Sequence, residues 1–226
     1  MPKSPSAGRI RAAFQGLSTC NLSDALDRLE MTGQVQGILP LWAGCPKVAG
    51  PAMTMKLSPT ATYSTVIGTL EAVQASAPGD LLVIDNGGRP GINSYGGIAA
   101  FSTRHYGMQG CVIDGSTRDV DEMADLALPV YGRGVVNTSV RGRIGFEGHG
   151  SAVKLGDVTV NPGDFVFADV NGVVVVPPEA VLEVLRWARR FNQMEETIKR
   201  DIASGTTPVT AHNRRRYDQA ARRPGS

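Results

Sequence analysis

An arginine and an aspartate, Arg118 and Asp119, stand side by side shortly after a run of apolar residues and a glycine. Residues 111–113 predict a short strand, and Gly115 lets the backbone turn behind it. Ligands in α/β proteins bind beyond the carboxyl ends of strands, so this pair lies where chemistry is expected. The Arg118 guanidinium is a planar fork of donors suited to a carboxylate or an enolate. Asp119 offers a hard oxygen ligand for a divalent cation. An ordinary surface ion pair is the alternative interpretation.

A second glycine-rich strand end precedes this motif along the chain. Residues 81–84 predict a strand, and the Gly96-Gly97 pair leads into a predicted helix over residues 98–106. Strand, helix and strand form a βαβ-like unit. The backbone amides of Gly97, Ile98 and Ala99 would lie at the N-terminus of that helix, where an anion is favoured. We therefore predict that Gly96, Gly97, Ile98 and Ala99 bind substrate together with Arg118.

Composition limits the class of protein. A chain of 226 residues with 42% hydrophobic content can bury one sizeable core. The net charge of +2 gives no reason to expect a nucleic-acid partner. Three widely separated cysteines without metal-ligand spacing indicate reduced thiols, with Cys111 in the core. No stretch approaches the roughly 20 apolar residues of a membrane span, and no apolar signal core opens the chain. We expect a soluble cytoplasmic protein without a membrane partner.

The remaining elements predict one α/β domain over residues 9–205, between a disordered N-terminus (1–8) and a basic, solvated C-terminal tail (206–226). Helices are expected over residues 22–30, with Asn21 as N-cap, and 63–76, with Ile67 facing inward. In the helix over 98–106 the inward residues are predicted to be Ile98 and Phe101. Short apolar runs separated by glycines predict strands at residues 48–57, 152–155, 158–160, 164–169 and 173–176. A long amphipathic helix from residue 178 to 205 carries more apolar surface than one small sheet needs. Either part of it contacts a neighbouring subunit, or the whole apolar face packs on its own sheet.

Several motifs together resemble a known family. They are Leu22-Ser23-Asp24-Ala25-Leu26-Asp27, Gly50-Pro51-Ala52-Met53-Thr54, Pro78-Gly79-Asp80, the segment 107–119, and Pro162-Gly163-Asp164 followed by the segment 172–177. Over residues 17–205 the chain resembles the RraA-like proteins, which include regulators of ribonuclease activity and metal-dependent aldolases.

The resemblance implies a fold, a cofactor and an activity. The fold is a swivelling β/β/α-type single domain, with a central sheet, helices packed on it and a long C-terminal helix at a subunit interface. The activity is a lyase reaction that depends on Mg²⁺ or Mn²⁺. It is the cleavage of 4-hydroxy-4-methyl-2-oxoglutarate or 4-carboxy-4-hydroxy-2-oxoadipate, or the decarboxylation of oxaloacetate, with release of pyruvate. Arg118 and Asp119 would be the catalytic residues. The metal would be held by Asp119 and by Glu195 of an adjacent subunit in a homotrimer or hexamer.

One position departs from the family pattern. The aldolases carry an acidic residue, then twenty residues, then Arg-Asp, and that acidic position is Gly97 in this chain. Asp85 and Asp114, both at strand ends, are possible substitutes, and a metal-bound water is the expected general base. Two further functions stay open. One is a non-catalytic regulator that binds a ribonuclease or a helicase, and the other is an enzyme for a different oxoacid or a sugar acid.

Overall fold

The computed structural model of the protein describes residues 6–221 and has a mixed sheet of eleven strands at its centre, beside a separate two-stranded hairpin. The strands are β1 (Gln34–Val35), β2 (Leu39–Pro40), β3 (Val48–Ser58), β4 (Tyr63–Ser64), β5 (Leu81–Asn93), β6 (Gly110–Thr117), β7 (Val130–Gly132), β8 (Gly134–Val135), β9 (Gly145–His149), β10 (Val153–Leu155), β11 (Val158–Val160), β12 (Phe165–Asp169) and β13 (Gly172–Val176). The helices are α1 (Ala7–Phe14), α2 (Thr19–Arg28), α3 (Thr65–Ala75), α4 (Gly97–His105), α5 (Val120–Asp125), α6 (Val181–Ala203), α7 (Pro208–Arg215) and α8 (Tyr217–Ala221).

The strand order combines a parallel and an antiparallel half. The main path runs β1-β13-β12-β3-β5-β6-β7-β2, with β4, β8 and β9 attached to it and β10–β11 forming the separate hairpin. The pairs β3–β5, β5–β6 and β6–β7 are parallel, whereas β12 pairs antiparallel with both β3 and β13. Parallel neighbours end at the same edge of a sheet, so the segments that follow β5 and β6 come together there.

Helices cover the sheet around separate hydrophobic clusters. Helices α1, α2 and α6 pack on the antiparallel half, with Phe14, Leu26 and Phe191 fully buried among them. Helices α3, α4 and α5 enclose a second cluster on the parallel half, which includes Ala100 and Met123. The expectation of one α/β domain with helices on a central sheet and a long C-terminal helix is confirmed. Cys111 is buried and unpaired, as predicted.

Two predicted helix faces were wrong. Ile98 and Phe101 of α4 are 65% and 62% exposed, and Ile67 of α3 is 47% exposed. Both helices instead approach their neighbours through small residues. A side-chain carbon added at Gly68 would lie 2.1 Å from the Phe146 ring, so α3 packs on that ring through a glycine. Hydrophobic periodicity cannot reveal such a contact, because glycine contributes nothing to the apolar pattern.

The ends of the chain also differ from expectation. Helix α2 is capped by Ser18, which forms a reciprocal capping box with Asn21, so Asn21 is not the N-cap. Ala7 and Gly8 already belong to α1, and residues 1–5 lie outside the described residues.

The segment expected to be a solvated tail forms α7 and α8 and packs on the domain. Ala211 is buried, and the Tyr217 ring lies 5.8 Å from that of Phe191. Residues 222–226 of the predicted tail lie outside the described residues. Over residues 6–221, no helix combines the length and the apolar character that a membrane crossing requires.

Candidate active site

The ends of β5 and β6 are tied together by hydrogen bonds. The Ser94 amide donates to the Ser116 carbonyl over 2.8 Å. The Tyr95 carbonyl accepts from the Thr117 hydroxyl at 2.7 Å and from the Arg118 amide at 3.2 Å. These bonds fix the start of α4 against the end of β6. The two motifs that the sequence predicted to be neighbours are therefore neighbours in space.

A cavity of about 350 Å³ opens at this junction. Its lining contains six residues predicted from the sequence, namely Gly96, Gly97, Ile98, Ala99, Arg118 and Asp119. The other lining residues come from α3 (Thr65, Val66, Thr69), the end of β5 and its connection to α4 (Asn93, Ser94, Tyr95), α5 (Glu122) and the segment before β9 (Ser139, Val140, Arg141). The last segment carries no catalytic motif in the sequence and was not predicted to take part.

Asp119 has an unusual backbone conformation, and its carboxylate bonds to α4 instead of capping α5. Its φ of 59° and ψ of 41° lie in the left-handed region, which is uncommon for a residue other than glycine and recurs at functional sites. Although it precedes α5 as N-cap, its carboxylate makes no bond to that helix. It accepts instead from the Gly97 amide at 2.9 Å. The Gly97 amide is thus occupied, and Ile98 and Ala99 retain the first-turn amides that a helix leaves without a partner.

The Arg118 side chain has unused donor capacity. Its Nε lies 3.3 Å from Asp119 Oδ2, and both side chains are 32% exposed. The pair makes no hydrogen bond, and Nε is buried without a hydrogen-bond partner among residues 6–221. A buried donor without an acceptor costs free energy, on the order of 1–3 kcal/mol. The terminal nitrogens of the same guanidinium also make no hydrogen bond within residues 6–221, and Arg118 lines the cavity, so they can bind an anionic ligand there.

Glu122 is a site residue that the sequence motifs did not predict. A side-chain carbon added at Gly97 would lie 2.1 Å from Glu122 Oε2 and 2.5 Å from its Cδ. The Glu122 carboxylate therefore occupies the space that a side chain at position 97 would need. The available signal was the spacing, because residues three apart on a helix share a face and Glu122 follows Asp119 by three.

The two substitutes considered for the missing acid are wrong. Asp114 binds the Arg133 guanidinium and accepts from the Gly156 amide. Asp85 accepts from the amides of Gly87 and Lys154. Both carboxylates are buried, and neither lines the cavity. They hold the β10–β11 hairpin and the β5 turn in place.

Glu195 lies on α6, away from the cavity of its own chain. Its carboxylate accepts from the Tyr217 hydroxyl at 2.8 Å and from the Asn21 amide group at 3.3 Å. The predicted role of Glu195 concerns the cavity of an adjacent subunit, and it stays a prediction.

The carboxylates at the cavity suit only one kind of metal site. No group of three or more His, Cys, Asp or Glu side chains within residues 6–221 is arranged to hold an ion. A fully protein-coordinated site for zinc is therefore not found there. Mg²⁺ keeps several waters and needs only one or two carboxylates. Asp119 and Glu122, which both contact the Gly96-Gly97 segment, meet that requirement.

Comparison with protein families identifies the family to which the chain belongs. The family model described as RraA-like, Aldolase/RraA, matches residues 19–175. This chain belongs to the RraA-like family. The match contains the cavity motifs on α4, β6 and α5, and it confirms the resemblance seen in the sequence.

Individual RraA-like relatives carry different functional names. A protein of Halalkalibacterium halodurans provisionally named 4-hydroxy-4-methyl-2-oxoglutarate aldolase is 28% identical over 199 residues, which cover 88% of this chain and 91% of that one. Protein DlpA of Legionella pneumophila is 32% identical over 210 residues. That match covers 91% of this chain and 34% of DlpA, so the chain spans about a third of that relative.

A solved RraA-like structure has the same fold and a different kind of name. It is RraAS2 of Streptomyces coelicolor, described as an unusual member of the RNase ES inhibitor RraA family. It superposes with a TM-score of 0.74 at 26% identity, covering 86% of this chain and 96% of that one. Membership of the family therefore includes proteins named as aldolases and proteins named as inhibitors.

Proposed function

We propose that this protein is a divalent-metal-dependent lyase that cleaves or decarboxylates a small 2-oxo acid and releases pyruvate. The observation that carries the proposal is the Glu122 carboxylate at Gly97. It provides an acid at the one position where the sequence lacks the family's acidic residue. The cavity thus has two guanidinium groups, two carboxylates and two free helix amides, a set of groups that suits enolate chemistry.

Mg²⁺ or Mn²⁺ is the cofactor that the donor set fits, with Asp119 as its ligand on this chain and Glu122 placed to hold its waters. When bound, such an ion polarises the keto group of a 2-oxo acid. The Asp119 carboxylate is held in position by the Gly97 amide and faces Arg118, so its geometry is set before any ligand arrives.

The side chains of the cavity can perform the remaining steps of an aldol cleavage. Arg118 and the amides of Ile98 and Ala99 bind the carboxylate and the developing enolate oxygen. Glu122 accepts the proton of the C4 hydroxyl as the C3–C4 bond breaks. The bonding electrons move to C3, and the enolate becomes pyruvate when Glu122 returns the proton there. With oxaloacetate the same bond breaks with loss of CO₂, and the same enolate forms.

The test is pyruvate release from oxaloacetate and from 4-hydroxy-4-methyl-2-oxoglutarate. Activity should be lost in EDTA and return with Mg²⁺ or Mn²⁺. Asp119→Asn and Arg118→Lys should each lower kcat/KM at least tenfold, the second because the bidentate fork is lost although the charge is kept. Arg189→Gln, an exposed α6 variant away from the cavity, is the control. Full activity in EDTA would refute the metal-dependent mechanism.

We further propose that the site is completed by assembly into a trimer or hexamer in which Glu195 reaches the cavity of a neighbour. The exposed apolar residues Ile98 and Phe101 on α4, beside the cavity, support a covered surface there.

The exposed apolar residues on α4 also favour a second candidate function, a regulator that binds a ribonuclease or a helicase through this surface of α4. A regulator of that kind would bind its partner without turning over any oxoacid. An enzyme for a different oxoacid or a sugar acid would be inactive on oxaloacetate and 4-hydroxy-4-methyl-2-oxoglutarate and active on that other compound.

A further inference from the structure

A second cleft adjoins the catalytic cavity and shares one wall with it. Its volume is about 420 Å³. Both spaces are lined by Thr65 and Val66 of α3 and by Val140 and Arg141 of the opposite segment. The further lining of the second cleft includes Pro59, Ala61, Tyr63 and Ile144, so much of its surface is apolar. A molecule bound at Asp119 can therefore extend past Arg141 into this cleft.

The two spaces differ in charge. The lining of the catalytic cavity contains two carboxylates, of Asp119 and Glu122, beside the guanidinium groups of Arg118 and Arg141. The lining of the second cleft contains Arg141 and Arg143 and no acidic residue. Its electrostatic potential thus favours an anion at the end of the cavity farther from the metal-binding carboxylates.

The backbone that carries Arg141 is held firmly. The Thr65 hydroxyl donates to the Ile144 carbonyl over 2.7 Å, and both partners are buried. The amides of Arg143 and Ile144 both donate to the Val140 carbonyl, at 3.0 and 3.2 Å. Arg141 therefore lies in a tight turn that is clamped to α3.

The side chain of Arg141 is free, in contrast to its neighbour. The Arg143 guanidinium donates to the Ser139 carbonyl at 3.0 Å. Within residues 6–221 the Arg141 guanidinium has neither a hydrogen bond nor an ion pair, and the residue is exposed. A guanidinium without an internal partner has all of its donors available, and it can bind a carboxylate bidentately.

We propose that Arg141 binds an anionic group on the leaving half of the substrate, and that the second cleft holds the bulk of that half. The inference rests on the proposed function, because it takes the 2-oxo acid end to lie at Arg118 and Asp119. The substrate class is then a 4-hydroxy-2-oxo acid whose C4 carries an extended, partly apolar group with a carboxylate. Cleavage of the C3–C4 bond gives pyruvate and an aldehyde or ketone that keeps this group.

The test compares 4-hydroxy-2-oxo-4-phenylbutanoate with its para-carboxyphenyl counterpart. The wild-type protein should prefer the carboxylated compound in kcat/KM by roughly tenfold or more, as expected for a charged hydrogen bond. Arg141→Gln should reduce that ratio to near one, and Arg141→Lys should keep part of it. Arg189→Gln is the matched control and should keep the full ratio.

Binding provides a readout that does not depend on turnover. The 2-oxo-4-arylbutanoates lack the C4 hydroxyl and cannot undergo the aldol cleavage. Calorimetry should show that the compound with the para-carboxylate binds roughly tenfold more tightly than the compound without it. Arg141→Gln should reduce this ratio of Kd values to near one.

A ratio near one in the wild-type protein, or an unchanged ratio in Arg141→Gln, would overturn the inference. So would binding of the phenyl compound no tighter than that of 2-oxobutanoate. These outcomes leave the proposed lyase standing if oxaloacetate is still decarboxylated. Conversely, the protein could bind the aryl compounds in the expected order but release no pyruvate from any substrate. That result would refute the proposed lyase activity and leave the role of Arg141 in binding intact.

Discussion

At the residue scale, the site depends on a glycine and a glutamate that share one space. Gly97 has no side chain, and the Glu122 carboxylate lies where one would be. A carboxylate can reach the same place from either position. The identity of the residue at 97 alone therefore does not determine whether the cavity has its acid.

The first prediction exchanges these two positions. Glu122→Ala should lower kcat for pyruvate release about 100-fold, within the range that general acid–base catalysis contributes. The double variant Gly97→Asp with Glu122→Ala should recover part of that loss, because its carboxylate projects from the vacated side. Gly97→Asp alone should give no gain, since the new side chain collides with Glu122. The readout is steady-state pyruvate formation, with circular dichroism to confirm folding. Wild-type kcat in Glu122→Ala would remove Glu122 from the mechanism.

At the element scale, the C-terminal helices are attached through a tyrosine hydroxyl that lies between two carboxyl groups. The Tyr217 hydroxyl of α8 lies 2.8 Å from oxygens of both Asp24, on α2, and Glu195, on α6. A hydroxyl donates only one hydrogen, so both contacts are satisfied only when one carboxyl group is protonated. Burial raises the pKa of Asp24 above its usual value, which the Tyr217 bond only partly offsets. Asp24 is thus the group suited to hold the proton.

The second prediction follows from the direction of that pKa shift. The folded protein holds a proton on Asp24 at a pH where the unfolded chain has released it. Its contribution to stability is fully present below the unfolded pKa of about 3.8 and is lost as pH rises through the folded value. Asp24→Asn should remove this decline, so the variant should gain free energy of unfolding relative to wild type as pH rises across the window. Urea unfolding at a series of pH values measures the difference.

Asp157→Asn, an exposed change in the β10–β11 turn, is the control for charge alone and should run parallel to wild type. If the pH profile of Asp24→Asn also ran parallel to that of wild type, a proton held by Asp24 in the folded protein would be contradicted. Trypsin cleavage after the exposed arginines of α7 gives a second measure, because release of α7 and α8 should accelerate with pH in wild type and less so in Asp24→Asn.

At the scale of the whole molecule, the arrangement within one chain leaves the site open on one side. Exposed apolar side chains of α3 and α4 lie beside the cavity, and Glu195 lies on another part of the chain. In the proposed assembly Glu195 would leave Tyr217 and Asn21 to approach a neighbour's metal. Docking of α8 and completion of the site would then compete for the same carboxylate.

The third prediction separates these two roles of Glu195. Glu195→Gln should remain a trimer or hexamer by light scattering but bind Mn²⁺ at least tenfold more weakly, because a carboxylate ligand is lost. Tyr217→Phe also removes the hydrogen bond between Glu195 and α8 while it keeps the carboxylate. It should bind Mn²⁺ at least as well as wild type. A monomeric wild-type protein at micromolar concentration would refute the shared site, and unchanged Mn²⁺ affinity in Glu195→Gln would remove that residue from it.

The sequence by itself determined the elements and the motifs at their ends. The strands β5 and β6, the glycine pair before α4 and the Arg118–Asp119 pair follow from local patterns, and parallel strands bring their ends together. Tertiary structure alone decided that Glu122 fills the space at Gly97, that Asp85 and Asp114 are engaged elsewhere, and that Arg141 lies in the wall shared by two clefts. These facts depend on how closely α5 and the segment before β9 approach α4 and α3. That distance is set by glycines and small side chains in the packing, and no periodicity along the chain encodes it.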